Sequence, residues 1–94
     1  MTTALTLHLK HEYYDQIKSG QKTEEYRLIT PYWVKRLINR RYDKIHLWRG
    51  YPPKNAIHLR ITRPWRGCTV KTITHPHFGD QPVTVFAINV ERKL

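Results

Sequence analysis

Leu5, Leu7 and Leu9 alternate with Thr6, His8 and Lys10 at the start of the chain. That two-residue period predicts a strand with one buried face. From His11 to Ser19 the period changes: Tyr13, Tyr14 and Ile17 fall on one helical face, and Gly20 stands where a C-terminal cap belongs. Residues 23–28 predict a second short strand, with Thr23, Glu25 and Arg27 on one face and Glu24, Tyr26 and Leu28 on the other.

Thr30-Pro31 has the form of a helix start, threonine as N-cap and proline at the first helical position. Ile29 and Val34 are spaced for a hydrophobic staple. This helix is expected to bury Trp33, Val34, Leu37 and Ile38, leave Lys35, Arg36 and Arg40 outside, and end near Asn39. Beyond it the pattern is β-like. Lys44 to Trp48 predicts a strand ended by Gly50 and Pro52-Pro53; Ala56 to Thr62 alternates Ile57, Leu59 and Ile61 with polar residues. Pro64 and Gly67 place a bend or bulge next. Val70 to Thr74 predicts a fifth strand, and Val83 to Val90, apolar on both faces, a central or barrel-closing sixth.

Six strands and two short helices predict an α+β fold: a small, mostly antiparallel β-barrel forming one domain over residues 1–94. Its expected core is Leu5, Leu7, Leu9, Ile17, Leu37, Ile45, Leu47, Ile57, Leu59, Ile61, Val85 and Ile88.

Charge changes the picture more than composition does. Seventeen Lys+Arg against seven Asp+Glu give a formal charge of +10 on 94 residues, which favours a polyanionic partner and salt-sensitive association. No basic amphipathic helix of useful length suggests a membrane surface, and no apolar run or leader pattern suggests insertion or export. The single cysteine, Cys68, precludes an intramolecular disulfide and fits a reducing cytosol, so a cytoplasmic location is expected; separately, the domain is expected to be a monomer.

Within so basic a chain, Gly20-Gln21-Lys22-Thr23-Glu24-Glu25-Tyr26-Arg27 gathers an ammonium, a carboxylate and a guanidinium at the start of a strand. A carboxylate accepts from an exocyclic amine of a base, while the cations hold phosphate or a carbonyl oxygen. The plainer alternative is that Glu25 and Arg27 pair with each other or with neighbouring strands.

Gly20-x-Lys22-x-x-Glu25-x-Arg27, after a strand and a helix, resembles the signature of the ASCH domain, a relative of the PUA RNA-binding fold. Tyr42-Asp43-Lys44-Ile45-His46-Leu47-Trp48-Arg49-Gly50 resembles that family's strand after the second helix, and Phe86-Ala87-Ile88-Asn89-Val90 its closing strand. The resemblance implies a PUA-like barrel with a basic cleft at Lys22, Glu25 and Arg27 that accepts RNA or a nucleotide. Some family members hydrolyse acetylated cytidine and some are described as ribonucleases. The amidohydrolase members carry threonine at the position of Glu25, so the glutamate here departs from their threonine-based chemistry.

A second constellation, Lys35, Arg36, Arg40, Arg41 and Lys44, is either a phosphate-tracking patch or a solvated helix face. Tyr26, Trp48 and Trp65 lie among cations, and Trp65, in the Pro64-Trp65-Arg66-Gly67 bend, is the leading candidate to stack on an unpaired base. His75-Pro76-His77 lacks a third ligand at suggestive spacing, and neither metal nor cofactor is expected. Cys68 has no evident activating partner. The leading expectation is an RNA- or nucleotide-binding module, single strands preferred, with Lys22, Glu25, Arg27, Lys35, Arg36, Arg40, Arg41 and Trp65 as contacts. The alternatives are a hydrolase using Lys22 and Glu25 on a modified nucleoside or RNA phosphodiester, with slow turnover or none, and a basic module for an acidic protein.

Overall fold

The computed structural model describes residues 3–91. The elements run β1 (Ala4–Leu9), α1 (His11–Ser19), β2 (Glu24–Leu28), α2 (Pro31–Leu37), β3 (Lys44–Arg49), a 3-10 turn (Ile57–Leu59), β4 (Arg60–Pro64), β5 (Cys68–Ile73), a second 3-10 turn (Pro76–Phe78) and β6 (Val83–Asn89). This is a small α+β fold of six mostly antiparallel strands and two helices.

The strands form two three-stranded sheets, ordered β1-β3-β4 and β2-β6-β5. Among the described residues no strand pairing joins the sheets into a closed barrel. β1 runs parallel to β3, with Leu5 opposite Ile45 and Leu7 opposite Leu47, while the other three pairings are antiparallel. The one parallel pair follows from the long crossover through α1, β2 and α2.

Alternation fixes which faces are buried. Leu5, Leu7, Leu9, Ile45 and Leu47 meet Tyr14 and Ile17 of α1, Leu37 of α2, and Phe86, Ile88 and Val90 of the last strand region. β6 lies between β2 and β5, and its run Val85, Phe86, Ala87 and Ile88 is buried throughout, as a strand apolar on both faces should be.

Three expectations are corrected. Ile57 does not enter the core; it is 78% exposed on the 3-10 turn, and Leu59 and Ile61 are half-buried. β4 therefore begins at Arg60 rather than Ala56. Val34 and Ile38 also stay exposed. α2 has only seven residues, and it turns the stripe of Trp33 and Leu37 inward, leaving the neighbouring Val34–Ile38 stripe outside. The hydroxyl of Tyr42 donates to the Arg36 carbonyl at 2.6 Å, and Ile38 is already extended, so the helix stops two residues before Asn39.

The core also holds an unforeseen cation. Arg63 is 8% exposed and donates to the Val90 carbonyl and, at 3.1 Å, to the Ile17 carbonyl. It thereby ties β4 to the end of β6 and to the last turn of α1, where the Ile17 carbonyl accepts from the Gly20 amide as well.

Candidate functional site

Gly20 ends α1 in the left-handed conformation, φ 88°, and donates to the Ile17 carbonyl. The chain then doubles back so that the Lys22 amide bonds the Gln16 carbonyl at 3.0 Å. This reversal sets Lys22 beside the first residues of β2. In β2, Glu25 lies opposite Ile88 and Arg27 opposite Phe86, so both are anchored on the most buried strand of the protein.

The trio meets in space. Glu25 is 5% exposed; its Oε2 accepts from an Arg27 terminal nitrogen at 2.9 Å, and its Oε1 is 3.6 Å from the Lys22 ammonium. The same Arg27 nitrogen donates to the His8 carbonyl at 3.2 Å. The pairing that spacing alone suggested for Glu25 and Arg27 is therefore real, and it forms the floor of a cleft of about 310 Å³. A pocket of that size suits a small organic ligand.

Aromatic rings orient the cations. The Lys22 ammonium lies 4.4 Å from the Tyr26 ring centre and 5.3 Å from that of Tyr13, and the Arg27 guanidinium 5.1 Å from that of Trp33. Burial pushes the Lys22 pKa below the ordinary lysine value, although the Glu25 carboxylate works in the opposite direction. Burial also raises the Tyr13 and Tyr26 hydroxyls, aided by the carboxylates nearby. Tyr26 is fixed further through its bond to Glu24, whose carboxylate holds Lys71 at 2.7 Å.

The second 3-10 turn closes one side of the cleft with His75, His77 and Phe78. His75 is edge-on to both Tyr13 and Tyr26, and its Nδ1 accepts from the His77 amide at 3.1 Å. Burial lowers the His77 pKa, with Lys10 and His75 adding to the effect. Among the described residues no group of three or more His, Cys, Asp or Glu side chains is placed to hold a metal ion.

The other candidates stand elsewhere. Arg36 folds back on Tyr32, 3.5 Å from its ring centre, and donates to the Tyr32 carbonyl. Arg40 lies 5.6 Å from the Tyr42 ring centre, and Lys35, Arg40 and Arg41 are exposed. None of the four lines the cleft. Trp65 is not a free stacking platform; it packs against the core and meets Tyr42 edge-on at 5.1 Å. Cys68 opens β5, packs against the core, and has its thiol pKa raised by burial, the reverse of an activated nucleophile. No helix among the described residues is long and apolar enough to cross a membrane.

Sequence reasoning missed the walls: His8, Lys10, Tyr13, Trp33, His75, His77 and Phe78. Tyr13 and Trp33 match helix-core spacing, and only the third dimension separates Tyr13 from the fully buried Tyr14. No family model, no curated protein and no solved structure matches this chain.

With a carboxylate between two cations, the floor carries a local charge of +1. Such a floor can accept an N–H from a ligand while attracting its anionic or carbonyl oxygen.

Proposed function

We propose that this chain is an ASCH-type, PUA-like module that binds single-stranded RNA or a nucleotide, placing a base in the cleft at Glu25 and a phosphate or carbonyl oxygen at Lys22 and Arg27. The observation that carries this reading is the buried Glu25 carboxylate at the floor of an aromatic-walled cleft, held between those two cations. A carboxylate this buried is costly unless paired, and a fixed acceptor between fixed donors is suited to the edge of a base. The charge of +10 supplies the long-range attraction for a polyanion.

Fluorescence anisotropy with short labelled RNA and DNA strands at low salt tests it. Binding is expected, and Glu25→Gln should change the ranking among the four bases rather than weaken all equally. A good carboxylate–base contact is worth about 1–3 kcal/mol of discrimination, so the preferred base should lose roughly 5- to 150-fold. Absence of binding at low salt, or a Glu25→Gln protein with an unaltered ranking, would remove the proposal.

One observation favours the hydrolytic reading as second: the Lys22 ammonium is half-buried with a lowered pKa, a property of lysines that move protons. Lys22 would stabilise or relay charge and Glu25 would orient water. Both Glu25 oxygens are already engaged, one by Arg27 and the other facing Lys22, so the carboxylate is poorly placed to take a proton from water, which ranks binding first.

A further inference from the structure

Next to the cleft lies a more open hollow of about 430 Å³, lined by His8, Leu9, Lys10, His11, Gly50 and Tyr51. His8 and Lys10 line both depressions, so the two adjoin. Tyr51 is the most exposed large side chain here, 85% open, yet its ring is held in place. It stacks on the His8 imidazole with 4.1 Å between centres and 14° between planes. His8 in turn donates from Nδ1 to the Gly50 carbonyl at 2.9 Å and meets Trp48 edge-on at 5.3 Å. The Arg60 guanidinium lies 4.6 Å from the Trp48 ring centre and completes the stack. Gly50 makes this geometry possible: it adopts φ 63°, and a Cβ there would come within 3.1 Å of the His11 ring.

A ring kept flat, oriented and open to water gains little by packing. It is the form of platform on which unpaired bases stack, sequence-tolerantly. The exposed Lys10 stands on the wall between the two depressions, where it would meet a phosphate joining two nucleosides.

We infer that the Tyr51 hollow is a second base subsite, so that the ligand is a strand of at least two nucleotides: one base in the cleft, the next stacked on Tyr51, the linking phosphate at Lys10. This inference rests on the reading that the cleft takes a base.

Calorimetric titration at low salt with the four ribonucleoside 5′-monophosphates and with 5′-phosphorylated ribodinucleotides tests it. The best dinucleotide should bind about tenfold tighter than the best monophosphate, the gain from one stacked base. Tyr51→Ala should abolish that gain and leave monophosphate affinity unchanged within about twofold, while Tyr51→Phe should keep it. Equal affinity for mono- and dinucleotides, or a Tyr51→Ala protein that loses nothing, overturns the second subsite and leaves the cleft reading standing. Dinucleotide binding that depends on Tyr51 but is indifferent to Glu25→Gln overturns the cleft reading instead. Failure of both ligand sets to bind overturns both.

Discussion

Lys22 is where the chemistry of the site is most sharply set. Its ammonium faces two tyrosine rings and one carboxylate, and burial disfavours its charged form. Folding thus lowers its pKa, so the unfolded chain holds more protons between that lowered value and 10.5. Within that window Lys22's contribution to stability improves as pH rises; below it, the cost of burying the charge is constant. Binding has the opposite sign. An anionic ligand needs the ammonium, so affinity should fall as pH rises through a midpoint below 10.5. Lys22→Arg, whose charge persists, should move that loss to higher pH. A binding titration from pH 7 to 10.5, with Lys22→Arg beside the wild type, checks this; coincident profiles would mean that Lys22 does not contact the ligand. The triad itself was legible in the sequence, because Glu25 and Arg27 are two apart on a strand and Lys22 follows a capping glycine. Its partners were not. Tyr13 and Tyr14 are adjacent on the same helix, yet Tyr14 is buried to 1% exposure and Tyr13 faces the cleft.

At the scale of elements, the two helices and five of the six strands follow from period and punctuation. Thr30 caps α2 as expected, accepting from the Trp33 amide at 3.3 Å. The exception is residues 56–62, where alternation of Ile57, Leu59 and Ile61 imitates a strand. What prevails there is hydrogen bonding from a distance: the Arg60 guanidinium gathers the carbonyls of Pro52, Pro53 and Ala56 at 2.8–3.1 Å, and the Tyr14 hydroxyl holds that of His58. Those bonds wind Ile57–Leu59 into a 3-10 turn, and a pattern of apolar positions carries no record of them. Arg63 is the same lesson inside the core. It reads as an exposed residue at a strand end, whereas it donates to carbonyls of α1 and of the residue after β6. Because hydrogen bonds from a charged donor are worth roughly 1.5–3 kcal/mol each, losing both in Arg63→Leu should lower unfolding free energy by about 3–6 kcal/mol. Urea unfolding followed by tryptophan fluorescence measures it. A loss below about 0.5 kcal/mol would place Arg63 among ordinary surface residues.

On the whole molecule, the cations of the cleft and those around the end of α2 stand in different kinds of place. Lys22 and Arg27 are committed to Glu25, at the floor of the cleft; Lys35, Arg40 and Arg41 are exposed around the end of α2, outside it. The first set can choose among ligands and the second can only attract them, because surface cations contact phosphate without reading sequence. Net charge was plain from composition, but this division was not, since it depends on which cations a short helix turns away from the cleft. Arg36 shows the limit of counting, as its guanidinium is already stacked on Tyr32 and bonded to that residue's carbonyl. A strand long enough to leave the cleft and cross α2 should therefore lose affinity uniformly, whatever its sequence, when Arg36, Arg40 and Arg41 are all changed to Gln. For single strands the logarithm of affinity falls with the logarithm of salt by ~0.7 per phosphate neutralised. Arg40 and Arg41 together should account for a slope reduction of about 1.4, and Arg36 for at most a further ~0.7. Anisotropy over 20–300 mM salt with a labelled twelve-residue RNA reads that slope directly. A triple variant with the wild-type slope would confine nucleic-acid contact to the cleft and its rim, and would leave the charge of α2 to some other anionic partner.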